Sequence, residues 1–89
     1  MFILVDDFVE KFSKADTIEI TFCKNKFQAK VLECYTNEYH EGILKYENLD
    51  RNMGEEIIYC NSKGKVLWGG YGDMFLNTID NLEVLTTQS

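Results

Sequence analysis

The residues best equipped for chemistry cluster at Glu38-Tyr39-His40-Glu41, where three potential metal ligands, Glu38, His40 and Glu41, fall within four positions. Zinc sites, however, gather ligands from separated elements and anchor each one through outer hydrogen bonds. The run therefore predicts a solvated loop bearing the single histidine. A cysteine nucleophile, Cys34 or Cys60 paired with His40, would need positive surroundings to hold a thiolate. The neighbourhood of His40 is acidic, which raises a thiol pKa. Carboxylate pairs fare no better, since Asp6 and Asp7 diverge around a helix and Glu55 and Glu56 point to opposite faces of a strand. The sequence thus predicts no catalytic residue, no metal site and no cofactor.

Two further stretches suggest binding. Gly69-Gly70-Tyr71-Gly72, ahead of a helix, could form a backbone nest for phosphate. No Lys-Ser/Thr follows, and Asp73 would put a carboxylate where the anion should sit. Glycines that permit a bulge or a close crossing are the simpler reading. Lys24, Lys26 and Lys30 around Phe27 resemble a basic-aromatic surface for single-stranded nucleic acid. Three lysines beside a strongly acidic remainder make a poor case, and Phe27 serves more simply as core. Together the Lys24–Lys30 turn and the Gly69–Gly72 loop define an alternative function, a barrel that binds RNA or a small ligand.

The charge distribution carries more information. The net charge is −6, and the segment from Glu33 to Glu56 accounts for −5 of it, with seven acids against Lys45 and Arg51. Such a field repels phosphate backbones and attracts basic surfaces. Tyr35, Tyr39 and Tyr46 interleave with Glu33, Glu38, Glu41, Glu47, Asp50, Glu55 and Glu56. Tyrosines supply buried area while carboxylates steer the encounter. These residues predict a docking face for a basic protein surface, on a non-enzymatic inhibitor or adaptor. Smallness, acidity and missing catalytic motifs would suit a mobile-element product. A homodimer through a strand edge is compatible with this reading.

Eighty-nine residues make one domain, residues 1–89, with room for a single compact site. A hydrophobic share of 45% argues against disorder. The longest apolar run, Met1 to Val5, is too short for a membrane span and lacks the pattern of a secretory signal, so a cytoplasmic location is expected. Cys23, Cys34 and Cys60 have no metal-type spacing and predict buried, reduced thiols.

These residues must be positioned by a small α+β fold. Val5, Phe8, Val9 and Phe12 fall at helical spacing. Thr17 to Phe22 and Phe27 to Val31 alternate as strands, and matching their apolar sides pairs Phe22 with Phe27, Ile20 with Ala29 and Ile18 with Val31. A bulge near Val31-Leu32 restores the inward phase, placing Cys34 on the side of Leu32. Gly42 to Glu47 forms a third strand, with Leu44 and Tyr46 opposite Ile43, Lys45 and Glu47. Ile57 to Trp68 is the strongest hairpin, turning at Asn61-Ser62-Lys63-Gly64, with both faces apolar. Its expected pairs are Cys60 with Lys65, Tyr59 with Val66, Ile58 with Leu67 and Ile57 with Trp68. Asp73 caps a short helix through Phe75, Leu76 and Ile79, and Leu82 to Thr86 closes the domain as a strand. The expected architecture is an N-terminal amphipathic helix on a strongly bent five- to six-stranded antiparallel sheet. In element order it resembles a small SH3/Sm-like open barrel, without the Sm signature residues.

Overall fold

The computed structural model describes residues 1–50, 54–68 and 77–88. Val5–Ser13 forms the helix, α1, and buries Val5, Phe8 and Phe12 with Val9 half-buried. No side chain caps its start at Leu4; Asp6 and Asp7 in the first turn and Lys11 in the last complement the helix dipole instead. The Phe8 and Phe12 rings pack 5.2 Å apart, tilted by 55°. Ahead of the helix, the Ile3 amide donates to the Gly64 carbonyl and the Val66 amide donates to the Met1 carbonyl.

Seven strands follow: β1 (Ala15–Phe22), β2 (Asn25–Thr36), β3 (Gly42–Asn48), β4 (Glu55–Cys60), β5 (Val66–Trp68), β6 (Asn77–Thr78) and β7 (Asn81–Thr87). They form one antiparallel sheet ordered β6-β5-β4-β3-β2-β1-β7, with α1 packed on β2 and β3. Apart from the two-residue β6, this is the expected helix on a bent antiparallel sheet. The edges explain the bend. β6 and β7 lie at opposite ends of the strand order yet are joined by only Ile79 and Asp80. The Ile79 amide donates to Val66 on β5, and the Asp80 amide donates to Thr21 on β1. The sheet must therefore curl into an open barrel, hiding edges that would otherwise stay unpaired.

Two registers differ from expectation. In β1–β2 the pairs are Phe22 with Asn25, Ile20 with Phe27 and Ile18 with Ala29. Cys23 and Lys24 alone make the turn, both at positive φ (51° and 66°). A two-residue turn of this hand matches the strand twist and outweighs the Phe22–Phe27 match. The slip is by two residues, so each side chain keeps its face. In β4–β5 the pairs are Ile58 with Trp68, Tyr59 with Leu67 and Cys60 with Val66, a one-residue shift. The expected turn is present, since the Gly64 amide donates to Asn61 and Gly64 sits at φ +89°. Gly64 is an additional bulge residue, which moves β5 by one position. A Cβ there would lie 2.8 Å from the Ile3 carbonyl oxygen, so the turn also needs glycine for space.

The bulge in β2 falls between Val31 and Glu33, as expected. It leaves Leu32 exposed while Cys34 packs against the core, so the two do not share a face. The end of the expected helix is instead strand β6 (Asn77–Thr78) followed by the buried, non-helical Ile79; its earlier part, from Asp73, lies outside the described residues. The core gathers Phe8 and Phe12 from the helix with Ile18, Ile20, Leu44, Tyr46, Ile58, Val66 and Leu82 from the sheet. Among the described residues, no helix is long and apolar enough to cross a membrane.

Candidate functional site

The sheet registers sort the expected docking residues into three places. Glu33, Tyr35, Glu47 and Glu55 project from the outer face of β2–β4, as their pairing with Lys45, Ile43, Lys30 and Glu47 shows. Glu38, Tyr39 and Glu41 lie at the β2–β3 turn, and Asp50 lies at the β3–β4 connection, at the opposite end of β3. Tyr46 and Glu56 are inside the barrel and cannot belong to an exposed docking face. The reason is strand alternation: Tyr46 shares the inward side with Leu44, and Glu56 shares it with Ile58. Neither side chain is available to a partner on the outer face, contrary to the expectation from the sequence.

On the outer face, Tyr35, Ile43, Tyr59 and Leu67 stand side by side across β2, β3, β4 and β5. Ile43 is 5% exposed although it lies outside the core cluster, because outward neighbours cover it. The adjacent row holds Glu33, Lys45 and Ile57, with Lys45 Nζ 3.6 Å from Glu33 and over the Tyr35 ring at 5.8 Å. The next row sets Glu47 directly opposite Glu55. Both are exposed, and no base among the described residues comes within ion-pairing distance of either, although Lys30 lies across from Glu47 on β2. Facing like charges repel, so this pair costs stability in the isolated chain.

The β2–β3 turn is organised by Asn37. Its Oδ1 accepts the amides of Tyr39 and Glu41, and its Nδ2 donates to Glu41 Oε1. His40 occupies φ 59° with an exposed side chain. The Glu41 carboxylate is thus committed to the turn, and no three His, Cys, Asp or Glu side chains gather as a metal site among the described residues.

Inside the barrel, Tyr46 donates to Glu56 Oε2 at 2.5 Å, and Trp68 Nε1 donates to the Tyr46 hydroxyl at 2.7 Å and to the same Glu56 oxygen at 3.3 Å. Burial first, then the bond to Glu56 and its charge, push the Tyr46 phenol above its ordinary range. The network borders a cavity of about 510 Å³ at the mouth of the barrel. Among the described residues, its aromatic lining comprises Phe22, Phe27 and Trp68, and its polar lining includes Lys26, Asp50 and Glu56. The Phe22 and Trp68 rings meet at 5.1 Å across the closing corner, and Phe27 lies 6.5 Å from Tyr46. The sequence offered one signal for this site, since Glu56 shares a strand face with Ile58; the convergence of three strands on it depends on the register.

Cys23 is exposed at the β1–β2 turn, against the expectation that all three thiols are buried. Burial, then the neighbouring Cys60, pushes the Cys34 thiol up to about 12, and burial also raises that of Cys60. Cys60 Sγ donates to the Ile3 carbonyl. Cys23 is therefore expected to react alone and fast with a thiol reagent at mildly alkaline pH, with Cys34 and Cys60 following only on unfolding. Mass spectrometry of the labelled native protein checks this, and rapid labelling of Cys34 would contradict it. The same shift sets a sign. A thiol whose pKa is raised on folding stabilises the fold below its ordinary value of 9.0, and that contribution is lost as pH rises towards about 12.

Comparison with known proteins adds no relative, since no protein-family model, no curated protein and no solved structure matches the chain.

Proposed function

We propose that the protein is a non-enzymatic, cytoplasmic interaction module that docks a basic protein surface on the outer face of β2–β4, acting as an inhibitor or adaptor. The observation that carries this reading is the Glu47–Glu55 pair, held face to face in the same sheet surface as the Tyr35–Ile43–Tyr59 row. A partner's lysine or arginine between the two carboxylates would remove their repulsion, while the tyrosines supply apolar area. Glu33 lies on the same face, and Glu38, Tyr39 and Glu41 border it at the β2–β3 turn. A second copy of the chain is a poorer occupant, because a symmetric contact through this face would bring acid against acid.

The test separates docking from mere solubility. Glu55→Lys is expected to stabilise the isolated protein by roughly 0.5 kcal/mol by relieving the pair, yet to weaken the partner about tenfold or more. The partner is first captured from nuclease-treated host extract, and the purified pair is then titrated across a salt series. Equal affinity of Glu55→Lys and wild type would overturn the proposal.

The second reading, RNA or a small ligand at the Lys24–Lys30 turn and the Gly69–Gly72 loop, is favoured by the cavity beside Lys26 and Phe27. The glycine loop lies outside the described residues. Two carboxylates in the lining oppose a phosphate backbone, which leaves the small ligand as the better form of this alternative.

A further inference from the structure

We infer that the cavity at the barrel mouth binds an alkylammonium cation, held by the aromatic rings of Phe22, Phe27 and Trp68 against the carboxylates of Glu56 and Asp50. The inference is independent of the docking face, which lies on the other side of the sheet.

Glu56 is the buried charged residue of the described core, at 6% exposure. Burying a carboxylate is costly unless its oxygens are satisfied. Both bonds it receives, from Tyr46 and Trp68, go to Oε2. Oε1 receives none among the described residues, and no buried side-chain oxygen or nitrogen there lacks a partner. Oε1 must therefore stay accessible, and the surface Glu56 contributes to is the cavity wall. The barrel thus fixes one carboxylate oxygen in place and leaves the other open to a ligand. Asp50 adds a second carboxylate, whose Oδ2 accepts from the Gln28 backbone N–H.

The rest of the lining selects the ligand's charge. Aromatic faces attract cations, and rings combined with carboxylates recognise alkylated ammonium groups. The cavity volume lies within the range of small-molecule sites. Among the described lining residues Lys26 is the one base, and its amine also lies 4.0 Å from Glu19, so the described carboxylates outnumber it. An anion would meet two carboxylates. A neutral apolar molecule would leave Glu56 Oε1 without a partner.

The chain has a single tryptophan, Trp68, so its fluorescence reports occupancy directly. Choline, a peptide carrying trimethyllysine, and the neutral choline isostere with carbon in place of nitrogen are each titrated at constant ionic strength. A saturable fluorescence change with choline or the peptide, at least about tenfold stronger than with the isostere, is the expected result. Tighter choline assigns the ammonium to a free metabolite, and tighter peptide assigns it to a protein side chain. Glu56→Gln keeps an acceptor for Tyr46 and Trp68 and should weaken binding about tenfold. Asp50→Asn, on the exposed connection, should weaken it in the same direction should Glu56→Gln fail to fold. Glu55→Lys, on the outer face, should leave the response intact whatever it does to protein docking. An equal response to the neutral isostere, or none to either cation, would overturn the inference.

Discussion

Gly42→Ala is expected to cost about 2 kcal/mol of stability, a fall in melting temperature of roughly 8–16 °C for a domain of this size. The backbone at Gly42 is not in the left-handed region, so the cost is one of space. A Cβ at this position would lie 2.6 Å from Cδ1 and 3.0 Å from Cε1 of Phe8, and 3.2 Å from Cβ of Cys60. Phe8 is fully buried and packed on Phe12, so its ring has nowhere to retreat. The helix would have to lift from β3. Thermal denaturation followed by circular dichroism measures the effect, and adding Phe8→Leu should recover part of the loss through direct coupling. An unchanged melting temperature in Gly42→Ala would show that α1 does not seat on β3 at this depth.

Tyr46→Phe is expected to cost a comparable amount, about 2–3 kcal/mol, because it strips a buried carboxylate of its shorter hydrogen bond and leaves Trp68 as its one donor among the described residues. The substitution barely changes shape, so packing loss does not confuse the result. It should also alter the alkaline limb of the stability curve. The folded state raises the Tyr46 pKa above its ordinary value of 10.0, so the phenol's contribution is complete below that pH and is lost as pH rises beyond it. The phenylalanine variant lacks that component of the alkaline decline. Urea titrations over a pH series measure both effects, and a neutral substitution would mean that the hydroxyl does not brace Glu56.

Much of the fold was legible because period-two and period-3.6 patterns name the buried side of each element directly. Val5, Phe8 and Phe12 marked α1, and Leu44 with Tyr46 marked the inner face of β3. Registers were less accessible, since they depend on turn geometry that apolar matching ignores. Positive φ at Cys23 and Lys24 moved β1–β2 by two residues, and the additional bulge glycine at Gly64 moved β4–β5 by one. The proposed docking face was legible only in part. Charge counted along the chain grouped Glu33, Glu47 and Glu55, which the registers set on one outer face of the sheet. It also collected Tyr46 and Glu56, although the alternation that put Tyr46 beside Leu44 already turned it away from Glu47. Ile43, Tyr59 and Leu67 went unnoticed as a surface because their alignment exists only across four strands.

The Ile79–Asp80 corner also bears on how the chain reaches its native state. Five strand pairs join neighbours in sequence and can form as hairpins, on a scale of roughly microseconds. The last pairing, β1 with β7, joins Thr21 to Asn81 and so must wait for a search across most of the polypeptide. Relative contact order is raised accordingly, and refolding is expected to take roughly milliseconds to seconds, with β7 acquiring hydrogen-exchange protection after β2 and β3.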